Sequence, residues 1–220
     1  MGIIIVFNGP PGSGKDEACR FLVSQLGFKS LSFKYQLFLE TFKLFGVPEE
    51  WFMDGYDDRE IKERPEERLG GKSRRQALIH TSEDVLKPKF GKEVFGLQAA
   101  KQINSVNDYC FSDCGFSEEL QPVINTAGAK NIRLVQLFRD GCSFANDSRR
   151  YVNGTNIIDE LILGHAAPLI TEHFLPLPFE NIQTYRLHNN GTIPEFHQAV
   201  KSIYLRGDYV ANSKKRSSVS

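Results

Sequence analysis

The sequence predicts an α/β fold: a parallel sheet of about five strands with helices on both faces and mobile polar segments along one edge. Three observations carry this. The chain opens with a buried-type strand, a glycine-rich turn and a helix, in that order. Apolar strand-like runs then keep alternating with stretches of helical period, the pattern of a parallel sheet covered on both sides. Finally, the polar motifs fall directly after strands, where the ligands of such sheets bind.

Taken in order, Gly2 to Asn8 is an apolar, β-branched run, as expected of a strand buried on both faces. Lys15 to Leu26 carries Ala18, Phe21, Leu22 and Leu26 at helical spacing and stops at Gly27. "KSLSF" is a short second strand, and Lys34 to Phe45 an amphipathic helix ended by Gly46 and Pro48. The block from Asp54 to Lys72 is almost wholly polar, either a solvated loop or short exposed helix, or an arginine-rich segment over a ligand. Helices are expected over Ser73–Lys87 and Lys92–Ile103, a third strand over Asp108–Ser112, and a helix over Ser117–Ala127 closed by Gly128. "IRLVQLF" alternates as a strand and runs into Arg139 and a further polar stretch. Between Val152 and Glu180 the prolines Pro168, Pro176 and Pro178 point to irregular loops. "IQTYRLHNNG" is a last strand with its turn, and Ile193 to Leu205 a last helix. Residues 1–205 are thus expected to form one domain, with 206–220 a flexible tail lacking the apolar content to order it.

Composition narrows the function. With 220 residues and 40% hydrophobic content there is material for one core. A net charge of zero argues against a nucleic-acid coat or an anionic membrane as main partner, since both need a basic excess. No apolar run reaches the ~18 residues of a membrane span, and the start "MGIIIVFNG" lacks the basic n-region of a signal peptide. Cys19, Cys110, Cys114 and Cys142 show no zinc-site spacing and read as reduced thiols of a cytoplasmic protein.

"GPPGSGK", Gly9 to Lys15, is a phosphate-cradling loop in its required setting between strand and helix. Gly9, Gly12 and Gly14 let successive backbone N–H groups turn onto phosphate oxygens, with Ser13 between them. The helix start adds its positive dipole end, and Lys15 can bridge two phosphates. Ser or Thr usually follows the lysine; here Asp16 does. A carboxylate can hold magnesium directly or through water, or can simply favour the helix N-terminus. Downstream, arginines that can fork onto phosphate fall in three groups: Arg59; Arg74 and Arg75; and Arg139, Arg149 and Arg150. Asp113 ends the third strand as a second candidate metal-side or ligand-side carboxylate, and Asn190 lies in the turn after the last strand.

"GSGKDEA" resembles the loop of bacteriophage-type deoxynucleoside monophosphate kinases, a P-loop kinase branch in which Asp follows the lysine. "SFKYQLF", "SRRQALIHTSEDVLKPKFG", "FSDCGFSEE" and "HNNGTIPEF" are similar to later parts of the same family, so the resemblance covers most of the chain in patches. Cytidylate- and dephospho-coenzyme A-type kinases share the general plan. Two departures stand out: Glu17 where many relatives carry Thr, and a longer polar block from Asp57 to Lys72. The resemblance implies a P-loop kinase-like fold, with 54–90 a substrate-binding segment and 139–151 a lid. It implies ATP and Mg2+ as cofactors, and transfer of a phosphoryl group from ATP to a (deoxy)nucleoside monophosphate. Lys15, Asp16, Arg139 and Arg150 would then be catalytic. Gly9, Gly12, Ser13, Gly14, Lys15, Asp16, Glu17, Arg149 and Asn190 would hold the cofactor, Arg59, Arg75 and Asp113 the acceptor, and Asp16 and Asp113 the metal. The address would be the cytoplasm, that of the host if phage-encoded, and a homodimer is one option. Two alternatives stay open: a P-loop kinase for a nucleoside or coenzyme precursor, and a nucleotide-binding ATPase module without kinase activity.

Overall fold

Strand β1 (Ile4–Asn8) is buried along its whole length, and its alternate side chains feed two different cores. Ile4 and Val6 face one side, with Phe95, Leu120 and Val123; Ile5 and Phe7 face the other, with Ala18, Leu22, Phe196 and Val200. A period of two on a strand covered by helices on both faces gives this split directly. The computed structural model describes residues 2–145, 147–154, 156–167, 174–176 and 182–216.

In chain order the elements after β1 are α1 (Lys15–Leu26), β2 (Lys29–Leu31), α2 (Tyr35–Phe45), α3 (Glu49–Met53) and α4 (Arg59–Glu63). A longer helical stretch follows: α5 (Arg74–Ile79), a π-helical stretch His80–Leu86, and α6 (Lys87–Phe90). Then come α7 (Val94–Ala100), β3 (Tyr109–Cys114), α8 (Ser117–Ala127), β4 (Ile132–Phe138), β5 (Tyr151–Asn153), β6 (Asn156–Leu163), β7 (Phe174–Pro176), β8 (Gln183–Asn189) and α9 (Ile193–Arg216). The main sheet has six parallel strands in the order β2-β3-β1-β4-β8-β6, and β5 and β7 form a separate parallel pair. Because β1 lies between β3 and β4, the chain reverses direction across the sheet there, and a crevice opens at the carboxyl ends of these strands. Among the described residues no helix is long and apolar enough to cross a membrane.

The fold class is as expected, with three differences. The sheet has six strands where about five were expected: β6 was read as part of an irregular stretch. Its register slips between Ile157 and Asp159, which breaks the alternation that would mark a strand, and it lies at the sheet edge with Ile157, Ile158 and Ile162 exposed. Helix α9 continues to Arg216, past the Leu205 expected as its end. Apart from Gly207, nothing in that stretch opposes a helix, and no proline interrupts it. Residues 217–220 of the expected tail, like 168–173 and 177–181 in the middle stretch, lie outside the described residues. The polar block from Asp54 to Lys72 forms short helical pieces, as one reading allowed, but it is not wholly solvated. Phe52 and Leu69 bury themselves with Phe42, Val47, Ala77 and Leu78, so α2, α3 and α5 share a small core of their own.

The carboxyl end of β1 is tied down by one side chain. Asn8 is fully buried, and its amide donates to the carbonyls of Cys114 and Arg150, each at 3.0 Å. Its Oδ1 accepts from the Val152 N–H at 2.7 Å. Asn8→Ala would leave those three backbone groups without their partner. We expect a loss of about 2–4 kcal/mol in urea unfolding, with secondary structure retained by circular dichroism.

Candidate active site

The loop after β1 is shaped by close approaches. Gly12 and Gly14 have positive φ, 79° and 108°, and Gly14 caps α1. A Cβ on Gly14 would lie 2.6 Å from Asn189 Nδ2, which donates to the Ser13 carbonyl at 2.9 Å. Asn189, at the end of β8, therefore holds the loop closed against the sheet. Ser13 Oγ and Lys15 Nζ both donate to the Pro10 carbonyl, at 2.9 and 2.7 Å. Lys15 is buried, and that burial, followed by the Arg149 charge, lowers its ammonium to about 8 against the pull of Asp16.

A cavity of about 180 Å³ is lined from α2, α4, α5, α6, α7, α8 and residues 147–149. Phe33, Tyr56, Phe95 and Phe116 are its aromatic wall residues, and Lys34, Lys62, Arg75, Lys87 and Arg149 its cations. Lys62 sits over the Tyr56 ring at 4.1 Å, and Lys87 over Phe116 at 5.2 Å. Arg149 also lies close enough to the loop for its charge to oppose that of the Lys15 ammonium. It is clamped by Asp147 through Nε at 3.0 Å and Nη2 at 2.6 Å. Burial pushes the Asp147 carboxyl up, but hydrogen bonds from the Arg149 side chain and N–H outweigh it and hold the group at about 2. The Arg149 side chain crosses directly over Gly115, where any Cβ would overlap its methylenes.

The expected site residues divide. Gly9, Gly12, Ser13, Gly14, Lys15 and Asp16 form the loop and the start of α1, with Asp16 exposed. Arg139 reaches the loop, donating to the Gly12 carbonyl at 3.1 Å. Arg75 lines the cavity, 3.7 Å from Glu63, while Arg74 is buried elsewhere, over Trp51 and donating to the Asp54 carbonyl. Arg149 lines the cavity as well as facing the loop, a wider place than the donor side alone. Arg150 folds back onto the carbonyls of Asp147 and Arg149. Arg59 is exposed at the first position of α4 and is not among the lining residues; Lys62, on the same short helix, is. Glu17 is engaged by His197 at 2.8 Å and by Arg20, which ties α1 to α9. Asp113 accepts from Ser32 Oγ and from the N–H groups of Phe33 and Lys34, at 2.7, 3.2 and 3.1 Å, and so holds the turn between β2 and α2. Asn190 bridges to the Asp140 N–H at 3.0 Å and to the His165 carbonyl at 3.0 Å.

Lys34, Lys62, Lys87, Glu119 and Asp147 also line the cavity and Asn189 holds the loop, and none of them is among the site residues expected from the sequence. Lys34 and Asn189 carried a usable signal, since each follows or ends a strand on the ligand edge. Lys62 and Glu119 did not, because only the packing of α4 and α8 turns them inward.

The loop fits a polyphosphate: it offers positive φ at two glycines, a helix start, and a buried ammonium whose one hydrogen bond among the described residues is to Pro10. Among the described residues no three His, Cys, Asp or Glu side chains converge on a metal position.

No family model and no curated protein matches this chain. Among solved structures it is similar to a provisionally assigned kinase from Chloroflexus aurantiacus J-10-fl, at 13% identity and TM-score 0.46, over 94% of this chain and 97% of that one. It is also similar to a gluconokinase from Sinorhizobium meliloti 1021, at 15% identity and TM-score 0.43, over 96% and 97%. At those scores neither likeness bears on what this chain does.

Binding of a polyanion should be sensitive to the charge on Lys15. A phosphate against Nζ raises the lysine's affinity for its proton, so binding is tightest while the free protein still carries that proton. We expect ATP affinity, measured by calorimetry in a chelator, to weaken as pH rises through about 8, with proton uptake on binding. Lys15→Gln should bind more weakly and lose that slope; an unchanged slope would place the titrating group elsewhere.

Proposed function

We propose that this protein is a P-loop kinase that transfers the γ-phosphoryl group of ATP to a (deoxy)nucleoside monophosphate, forming the diphosphate. The observation that carries the reading is the shared arginine: Arg149 lines a cationic, aromatic-walled cavity and also acts on the loop lysine, Lys15. Two anions brought together need positive charge over both and between them, a role that Arg149 suits. Lys34, Lys62 and Arg75 suit a monophosphate group, and Phe33, Tyr56, Phe95 and Phe116 suit a flat base.

In this reading Gly9 to Lys15 hold the polyphosphate through backbone N–H groups and the Lys15 ammonium, with Arg139 at the loop's outer side. Asp16, exposed in the first turn of α1, is the carboxylate that would hold magnesium in this reading. Magnesium, when bound, withdraws charge from the β- and γ-phosphate oxygens. An acceptor phosphate is already ionised, so positioning and charge do the chemistry without a strong general base. A switch or ATPase module needs no second cationic cavity, which favours the kinase over that alternative. A nucleoside or coenzyme-precursor acceptor is distinguished by assay.

The test is a coupled assay of ADP formation across the common nucleoside monophosphates and the corresponding nucleosides. Turnover confined to nucleosides, or ATP hydrolysis indifferent to any acceptor, would overturn the proposal. In the same assay Arg75→Ala should raise the acceptor KM by at least about tenfold, as expected for a lost charge-assisted hydrogen bond, while the ATP KM changes little. A selective rise in the ATP KM would move Arg75 to the donor side.

Asp16→Asn isolates the metal role. The carboxylate repels phosphate without metal and attracts the bridging ion with it. Asp16→Asn should therefore shift the magnesium midpoint of the rate upward while leaving binding in a chelator intact or improved. An unchanged midpoint would leave Asp16 as a helix-start residue.

A further inference from the structure

The acids that line the cavity are of two kinds. Glu83 pairs with Lys87 at 2.6 Å and Asp147 with Arg149 at 2.6 Å, so each is committed to a cation of the wall. Glu119, in the first turn of α8, also lines the cavity, yet it forms no ion pair among the described residues. Its partner is the Gly115 N–H, just before its own helix. One carboxyl is thus left to a ligand in a cavity whose other acids are taken.

The charged groups around Glu119 come from every side. Lys34 from the β2–α2 turn, Lys87 from α6 and Arg149 from the segment after β4 favour its anion, and Asp113 at the end of β3 opposes it. Lys62 and Arg75, from α4 and α5, line the same space together with Glu83 and Asp147. Burial, with Asp113 second, outweighs the cations and the helix start and pushes the carboxyl up to about 8. A carboxyl in this place therefore carries its proton at neutral pH, and an uncharged acid does not repel an incoming phosphate as a carboxylate would.

We propose that Glu119, the cavity acid not committed to a cation of the wall, is a specificity-determining residue that donates a hydrogen bond to a carbonyl oxygen or unprotonated ring nitrogen of the acceptor's base. This rests on the acceptor reading above and goes beyond it, by assigning the group that meets the base rather than the phosphate. The aromatic residues of the wall supply area and flatness; Glu119 supplies direction. A neutral carboxyl and a side-chain amide both offer a donor next to an acceptor, so glutamine should stand in for the acid, whereas an apolar side chain of similar length should not.

The experiment measures acceptor KM and kcat for the monophosphates of deoxyadenosine, deoxyguanosine, deoxycytidine and thymidine at saturating ATP and magnesium, in wild type, E119Q and E119M. Saturating ATP removes the Lys15 titration from the readout. Between about pH 7 and pH 9.5 the wild-type KM for the best acceptor should rise by about tenfold, the loss of one hydrogen bond plus repulsion by the new anion. E119Q should match wild type within about threefold at neutral pH and lose that rise. E119M should show about a tenfold higher KM at neutral pH, with the ATP KM unchanged. The proposal is overturned if E119M matches wild type, if E119Q fails as E119M does, or if the wild-type KM falls with pH, which would mark Glu119 as an anionic acceptor. A collapse of kcat rather than KM in E119Q would make it a proton-transfer group and overturn the proposal equally. Absence of turnover with every monophosphate in wild type would instead defeat the acceptor reading, and this assignment with it.

Discussion

The site depends on one buried amide. Asn8 ends the central strand β1, and its side chain spans the ends of β3 and of the segment that leads into β5. All three contacts are to backbone, so they fix where chains run rather than which side chains they carry. The Cys114 carbonyl sets the position of Gly115, over which Arg149 passes; the Arg150 carbonyl and Val152 N–H set the other end of the same segment. Arg149 is thereby held between two fixed points and delivered to the boundary between loop and cavity. A buried amide satisfied on both donor and acceptor sides has few alternative arrangements, because every lost bond leaves an unpaired group in a dry interior.

The same logic recurs across the sheet edge. Asn189 holds the loop through the Ser13 carbonyl, Asp113 gathers the turn before α2, and Asn190 joins the end of β8 to the segment after β4. Each comes from the carboxyl end of a parallel strand and clamps a neighbouring loop. The parallel sheet brings these ends to one edge, and short polar side chains then convert flexible connections into fixed walls. That leaves Lys15, Lys34, Lys62, Arg75 and Arg149 as long, cationic arms pointing inward from a stiff rim.

How much of this was legible in the sequence follows from what each part requires. The loop was legible because its geometry is written in residue types: Gly12 and Gly14 adopt positive φ, and Lys15 begins the helix that Gly27 ends. Helices α1 and α8 and strand β4 were legible to the residue, since their apolar periods and glycine stops coincide. Strand β6 was not, because a register slip hides its period. Of the residues expected on the acceptor side, Arg75 lines the cavity, whereas Arg59 does not and Lys62 on the same helix does. A five-residue helix inside a polar block has no apolar stripe to tell its faces apart. Asp113 was read as facing a ligand, and its place on the edge was right; its three bonds to the β2–α2 turn needed the tertiary structure.

Burial sets the charge state at both ends of the site, in opposite senses. It lowers the Lys15 ammonium from 10.5 to about 8 and raises the Glu119 carboxyl from 4.5 to about 8. For Glu119 the folded state holds its proton more tightly than the unfolded chain, so its contribution to stability declines as pH rises from 4.5 to about 8. For Lys15 the unfolded chain holds the proton more tightly, so the folded state recovers stability from about 8 to 10.5. The two contributions thus meet near pH 8, where both groups stand between their charge states and the ligand-free site is least favourable to the fold. A phosphate at Lys15 restores its charge, and a hydrogen-bond acceptor at Glu119 satisfies its proton. Under the proposed reading, the ligands that would complete the site are the groups that would relieve the cost of building it.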